Sequence, residues 1–365
     1  LSSISIKSKK ERPRRDVVFI RGIGRIVQDI AVPPIISRFH YPVEMSSHRS
    51  SDDAPRTYLI TGANQGLGFD AARQLALLPE TRKVYLACRA ESKALAAIEK
   101  LVSEYGISRE KLDFVHFEAS DSKESIALKF SLPREERFDS ILFNAGGMGH
   151  DASGKPTPPN QVLDMYQINL LGHIHLLEVL QPHLIPNQTR IVFSGSEMAR
   201  GVPTMGAPAP TFPDTVDGFK DLLQGTNIDT FDGPRVYGYV KALAALYWAS
   251  WARRNPEYHV VTVSPGFTRG TAFGTHKNLP WVARTLYPAL LTVTGWLGTS
   301  QSLEQGAKIY VDAMTGKEIF ANTASGAFVA AANGKPVGPL SEDQGLIFKD
   351  VNAQDKAYEA VQCFV

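Results

Sequence analysis

The amino-acid sequence predicts an α/β fold of the doubly wound kind, a single parallel sheet with helices on both faces, preceded by an N-terminal extension. Three observations lead there. Short apolar runs alternate with amphipathic stretches of helical period from Thr57 onward, as repeated strand–helix–strand units require. The first run, Thr57-Tyr-Leu-Ile, passes straight into the glycine-rich turn Thr61-Gly62-Ala63-Asn64-Gln65-Gly66-Leu67-Gly68 and then into a helical stretch. Later apolar runs end in small or hydroxyl residues, and ligands of open α/β sheets bind at the carboxyl ends of strands.

Composition narrows the class. The 365 residues permit one large domain or two small ones, and 43% hydrophobic residues with 21% charged residues suit a soluble globular chain. Lys+Arg 39 against Asp+Glu 37 leaves a net charge of +2, so nothing global argues for a nucleic-acid partner. Cys88 and Cys363 cannot build a disulfide framework, and no CxxC or Cys/His cluster suggests a metal. A reducing compartment fits best. There is no apolar run of membrane-spanning length.

Residues 1–54 read as an extension distinct from the domain at 55–365. Lys7, Lys9, Lys10, Arg12, Arg14 and Arg15 form a basic cluster, and the first methionine is Met45, which fits a processed precursor, a sequence lacking its true start, or a natural start at Met45 with upstream residues of other origin. The segment resembles a plastid or mitochondrial transit peptide in its Arg and Ser content and departs from one at Glu11, Asp16, Asp29 and Glu44; the other reading is a cytoplasmic protein. Ile20, Ile23, Val27 and Ile30 recur at helical spacing with Arg21 and Arg25 between them, as a strap on its own domain or a docking element for a partner or membrane surface would, although Gly22 and Gly24 weaken that helix.

In the domain, strand, glycine-rich turn and helix in succession place backbone N–H groups and a positive dipole end against a pyrophosphate. Lys83 to Arg89 makes the second strand. An acid at its end would accept from the ribose 2′-hydroxyl of NAD; Arg89 stands there instead, which suits the 2′-phosphate of NADP(H), unless it is a solvated loop residue. Glu91 to Tyr105 and Ser122 to Phe130 read as helices flanking a third strand, Asp113 to Phe117. The fourth strand, from Asp139, ends in Asn144-Ala145-Gly146-Gly147, small residues that let a ribose approach the backbone. Val162 to about Leu180 reads as a long apolar helix in which Asn169 needs a partner, structural or functional. His173 and His175 are two apart, the wrong spacing to ligate one metal from a helix face, and read as ordinary. The fifth strand, from Arg190, ends at Ser194-Gly195-Ser196. Tyr237 and Lys241 are four apart on a helix, one turn above each other, where an ammonium favours the phenolate form of a tyrosine.

Thr61-Gly-x-x-x-Gly-x-Gly68, Asn144-Ala-Gly146, Asn169, Ser196, Tyr237-x-x-x-Lys241 and Ser264-Pro265-Gly266 occur in one order, and over residues 57 to 340 the chain resembles the short-chain dehydrogenase/reductase family. The resemblance implies a single Rossmann-type domain and a catalytic tetrad of Asn169, Ser196, Tyr237 and Lys241. NADPH would deliver hydride to a carbonyl carbon while Tyr237 donates a proton to its oxygen. Lys241 would depress the tyrosine pKa and hold the nicotinamide ribose, Ser196 would bond the carbonyl oxygen, and Asn169 would hold a water between Lys241 and solvent. Gly62, Asn64, Gln65, Gly66, Leu67, Gly68, Arg89, Asn144, Ala145, Gly146, Pro265, Gly266 and Thr268 would line the cofactor, with Thr268 or Thr271 on its amide.

The interval from Ser196 to Tyr237 is longer than in the simplest family members, so residues 201–234 form an insertion beside the site. Tyr85-Leu-Ala-Cys-Arg89, that insertion, Gln305-Gly-Ala-Lys, Ser325-Gly-Ala-Phe and Gly338-Pro-Leu lean toward the branch of protochlorophyllide reductases and retinol dehydrogenases. Residues 268–300 include Trp281, Tyr287 and Trp296 broken by Pro280, Pro288 and Gly295, which suits a lid over a lipophilic small molecule, an oligomer contact, ordinary core or a membrane-surface contact. Leu303 to Met314 reads as a helix and Gly326 to Ala331 as the final strand; Ser341 to Val365 carries no motif. The expected function is NADP(H)-dependent interconversion of a carbonyl and an alcohol, or reduction of a related double bond. The alternative is a reductase-fold subunit of a larger assembly, and homo-oligomers fit either reading.

Overall fold

The computed structural model describes residues 54–148, 156–157, 162–203, 207–226, 233–270, 299–343 and 345–365. The leader before Ala54, and most of the lid 268–300 with Thr271, lie outside the described residues.

Eight strands form one sheet: β1 (Arg56–Thr61), β2 (Thr81–Cys88), β3 (Leu112–His116), β4 (Ser140–Phe143), β5 (Arg190–Ser194), β6 (His259–Val263), β7 (Phe328–Ala331) and β8 (Leu340–Glu342). Their spatial order is β8-β7-β6-β5-β4-β1-β2-β3. All neighbours run parallel except β8, which pairs antiparallel with β7 through Leu340↔Ala331 and Glu342↔Val329. β1 lies between β2 and β4, so the chain's winding reverses at β1, and the crevice outside the carboxyl ends of β1 and β4 is where this topology binds ligands.

Alternation along the strands serves both faces. Leu59, Ile141, Phe143, Ile191 and Phe193 point to one apolar core, and Tyr58, Ile60, Leu142 and Val192 to the other. Buried on both sides, these strands need continuous apolar runs. One face is covered by α1 (Gly66–Ala76), α2 (Glu91–Tyr105) and α7 (Leu303–Thr315), whose Ala71, Ala72, Ile98, Leu101, Ala307 and Tyr310 enter the second core.

The other face carries α3 (Lys123–Lys129), α4, α6 (Gly233–Arg254) and α9 (Val351–Gln362). α4 runs without a break through Asp164–Tyr166, Gln167–Leu171 and Gly172–Leu180, and its middle five residues are a π turn. Asn169 is the central residue of that turn. Before it, Val162–Leu163 pairs with Pro156–Thr157 as a short ribbon, so the helix begins later than its apolar pattern suggests.

The C-terminal stretch, motif-free in sequence, supplies β8, the short helix α8 (Leu346–Lys349) and α9. Asp350 caps α9 by accepting from the backbone N–H groups of Asn352 and Ala353. α9 lies along α6: Tyr247 and Tyr358 stack at 5.3 Å, and Ser250 donates to Asp355 at 2.6 Å. Within the 201–234 stretch, α5 (Val216–Gln224) buries Phe219, which stacks on Phe212 at 5.3 Å.

Candidate active site

The carboxyl ends of β1 and β4 are locked together by side chains. Thr61 Oγ1 accepts from the backbone N–H of Asn144 at 2.8 Å and of Ala145 at 2.9 Å, and Asn144 Nδ2 donates to Thr61 O at 2.9 Å. The approach is close enough to demand glycine: a Cβ on Gly68 would stand 2.6 Å from both Asn144 Nδ2 and Gly62 O. α1 begins here with Gln65 as its N-cap residue, makes no side-chain cap bond and has no acid in its first turn. Its first N–H groups and the positive end of its dipole are thus left for an anion, and the residues present fit the pyrophosphate of a dinucleotide. Arg89, just past β2, is exposed, and its Nε lies 3.2 Å from Glu118 Oε2 at the end of the neighbouring strand. It is held by a carboxylate rather than loose in solvent.

α6 places Tyr237 and Lys241 one turn apart. Lys241 is buried; its Nζ donates to Ser194 O at 2.8 Å and lies 5.5 Å from the Tyr237 ring centre and 5.1 Å from that of Phe193. Burial pushes its pKa down to about 7. Tyr237 is only partly buried and packs against the first core.

The two serines after β5 separate clearly. Ser194 is buried, with its hydroxyl 2.6 Å from the Tyr310 hydroxyl on the opposite face of the sheet. Ser196 is partly exposed, and its Oγ accepts from Met198 N at 3.2 Å, starting the short turn Glu197–Ala199. Ser194 is thus engaged inside the fold, and Ser196 is the more exposed of the two.

Asn169 is fully buried. Its Nδ2 donates to Gly147 O at 2.7 Å and to Met165 O at 2.8 Å, while Oδ1 accepts from Gly147 N at 3.2 Å. A Cβ at Gly146 would sit 2.4 Å from Oδ1, so the Ala145-Gly146-Gly147 turn and Asn169 are mutually fitted. The side chain expected to hold a water is largely committed to protein, leaving Oδ1 with one lone pair.

Ser264, Pro265 and Gly266 follow β6. Thr268 is buried and its hydroxyl turns back to the carbonyls of Pro265 and Gly266, each at 3.2 Å, rather than standing open toward a ligand. Asn64 and Gln65 lie at the rim of the glycine-rich turn, and Leu67 packs on the second core.

Two groups beside the site were not legible from spacing alone. His173 is fully buried between Asn169 and Thr61. Glu197 and Arg200 form an ion pair right after Ser196, and Arg200 Nη1 reaches Asp343 Oδ2 at 3.0 Å beyond β8. Burial raises the pKa of Glu197, with Arg200 opposing the rise. The i,i+4 relation of His173 to Asn169 and the i,i+3 relation of Arg200 to Glu197 were the available signals.

A dinucleotide cradle at the switch point of a parallel sheet, with a buried Lys beneath a Tyr at its edge, defines a nicotinamide-dependent oxidoreductase. The short chain dehydrogenase family model matches residues 56–208. The short-chain dehydrogenase/reductase eupG of Phoma sp is 31% identical over 229 residues, covering 57% of this chain and 76% of that protein. The (+)-neomenthol dehydrogenase of Arabidopsis thaliana is 27% identical over 255 residues, 60% of this chain and 85% of that protein. In fold, salutaridine reductase from Papaver somniferum is similar with a TM-score of 0.50 at 21% identity, over 75% of this chain and 99% of that one. The chain belongs to the short-chain dehydrogenase/reductase family, whose members use NAD or NADP. Among the described residues no helix is long and apolar enough to cross a membrane.

Proposed function

We propose that this protein is an NADP(H)-dependent oxidoreductase that interconverts a carbonyl and an alcohol on a lipophilic small molecule. The observation that carries the reading is Lys241, a buried ammonium beneath the Tyr237 ring that donates to the carbonyl of Ser194. A lysine kept there with no carboxylate beside it among the described residues costs folding free energy, and functional sites are where such cost is retained.

When bound, the nicotinamide supplies or takes up a hydride. In the reducing direction the Tyr237 hydroxyl donates its proton to the carbonyl oxygen, and Lys241 favours the phenolate left behind. Ser196 donates a hydrogen bond to the same oxygen and fixes the carbonyl's orientation. Asn169 braces the Gly147 turn against α4, and the remaining Oδ1 lone pair holds a water on the path that returns the proton. Alcohol oxidation reverses these steps. Arg89, with no acid at the end of β2, supports a 2′-phosphate and hence NADP(H). The apolar composition of 268–300 supports a lipophilic substrate, and one relative is by name a dehydrogenase of (+)-neomenthol. The basic leader supports import or docking, which a fluorescent fusion with and without residues 1–54 tests; identical diffuse distributions would remove that part.

NADPH consumption with benzaldehyde, decanal, cyclohexanone and menadione tests the activity. Turnover of at least one, abolished in Tyr237→Phe, is expected. NADPH binding by fluorescence with no turnover of any of them would favour a non-catalytic subunit.

A further inference from the structure

We propose that His173 is a positioning residue that closes a ring of hydrogen bonds around the Asn144–Gly147 turn and so holds that turn and Asn169 in one fixed relation. The ring is read directly from the contacts. Thr61 Oγ1 accepts from Asn144 N and Ala145 N on one side of the turn, at 2.8 and 2.9 Å. On the other side, Gly147 exchanges hydrogen bonds with the Asn169 amide at 3.2 and 2.7 Å. His173 joins the two sides: Nδ1 lies 3.3 Å from Asn169 O, and Nε2 lies 3.1 Å from Thr61 Oγ1.

Chemistry fixes the direction of each bond. A carbonyl only accepts, so Nδ1 carries the hydrogen; Nε2 of a neutral ring is then an acceptor. Thr61 Oγ1 has already accepted two N–H groups and has a single hydrogen to give, which goes to Nε2, with Leu142 O farther off at 3.4 Å. Every polar atom in the ring is thereby satisfied, the condition under which a buried network rigidifies its surroundings.

The surroundings enforce the neutral form. His173 sits among Phe117, Phe143 and Phe193, with ring centres 5.6, 5.0 and 6.0 Å away. Lys241 is the charged group whose field reaches it, and burial together with that field pushes the imidazole pKa down to about 3. A neutral His173 avoids placing a second buried cation beside Lys241, and a fixed tautomer makes it a rigid spacer. The π turn centred on Asn169 belongs to the same arrangement, since π turns occur where a helix is bent to serve a site. Apolar residues at 173 would fill the aromatic box but leave Asn169 O and Thr61 Oγ1 unlinked.

The test has an arm that needs neither cofactor nor turnover. In ¹⁵N-histidine NMR of the full chain, the resonances lost in His173→Phe should report a protonated Nδ1 and an unprotonated Nε2, unchanged from about pH 5 to 8. An Nε2–H tautomer, or a titration in that range, overturns the proposal. The kinetic arm rests on the catalytic reading above and uses NADPH with the panel aldehyde or ketone that turns over. His173→Phe should lower kcat about tenfold or more with substrate KM within about threefold, the signature of displaced groups rather than lost binding. In an Asn169→Ala background the same substitution should cost less than about twofold, because the Asn169 amide that ties the ring to Gly147 is already gone. Equal losses in both backgrounds overturn the proposal. His173→Gln, which keeps a donor and an acceptor, should recover part of kcat, and a folded Gln variant no better than Phe counts against it. Absence of wild-type turnover sinks the catalytic reading while the NMR arm still decides the ring.

Discussion

Two cations, Lys241 buried and Arg200 partly buried, lie near the carboxyl end of β5, and they are treated in opposite ways. Arg200 has its guanidinium between Glu197 and Asp343, with a further bond from Nη2 to Lys335 O at 2.9 Å. Its charge is matched, and the pair of carboxylates clamps the turn after Ser196 to the edge of the sheet at β8. Lys241 has a carbonyl and two ring faces, and among the described residues no carboxylate pairs with it. The first arrangement holds the fold in place. The second costs stability and leaves a group that changes protonation near neutral pH, which is a property of chemistry rather than of packing.

Substitution at each should therefore separate activity from stability. The largest effect is expected at the Tyr237–Lys241 pair: Tyr237→Phe and Lys241→Met should each lower kcat by roughly 10²–10⁴-fold, the range of a lost general acid and its partner. NADPH affinity, measured by fluorescence, should stay near wild type for Tyr237→Phe. Retained turnover in either variant would break the contrast. Next, Arg200→Met strands two carboxylates and should cost about 3–5 kcal/mol in urea denaturation. Lys241→Met should be neutral or stabilising, and equal destabilisation of the two would show that both cations are structural.

pH sharpens the same contrast. The Lys241 pKa in the folded protein is about 7 against an ordinary 10.5, so between those values the unfolded chain binds the extra proton. The penalty for burying this lysine is then fully present below about pH 7 and fades as pH rises toward 10.5. Wild-type stability relative to Lys241→Met should rise with pH in that window, by at most about 1.4 kcal/mol per pH unit. A pH-independent difference between the two would refute the shifted lysine. The smallest effect belongs to the exposed cation Arg89. Arg89→Asp should change stability by less than about 0.5 kcal/mol, as surface pairs do. It should move the kcat/KM ratio toward NADH by roughly tenfold, and an unchanged ratio would show that Arg89 does not read the 2′-phosphate.

Much of the candidate site's layout was legible in the sequence, and particular residues show why. Gly62, Gly66 and Gly68 declare the turn because only a short-range constraint, backbone packed on backbone, is needed to call for glycine there. Tyr237 and Lys241 are paired by helical period alone. Ser196 is distinguished from Ser194 by its place at the strand's end, and the partner found for Ser194, Tyr310, is more than a hundred residues away. His173 read as ordinary because its two partners, Thr61 and Asn169, come together only when β1 and α4 pack. Arg200 and Asp343 are likewise invisible as a pair until β8 folds back antiparallel onto β7.

The local rules of period, turn chemistry and glycine spacing were enough to specify a doubly wound sheet, the dinucleotide turn and the Tyr237–Lys241 helix. Each depends on residues within a few positions of one another. Tertiary structure alone decided that Lys241 is stripped of water with no counter-charge among the described residues, that Arg200 is clamped, and that His173 spans the gap between the Asn144–Gly147 turn and Asn169. Desolvation and long-range hydrogen bonding are set by which surfaces meet, and no local pattern in the chain records that meeting.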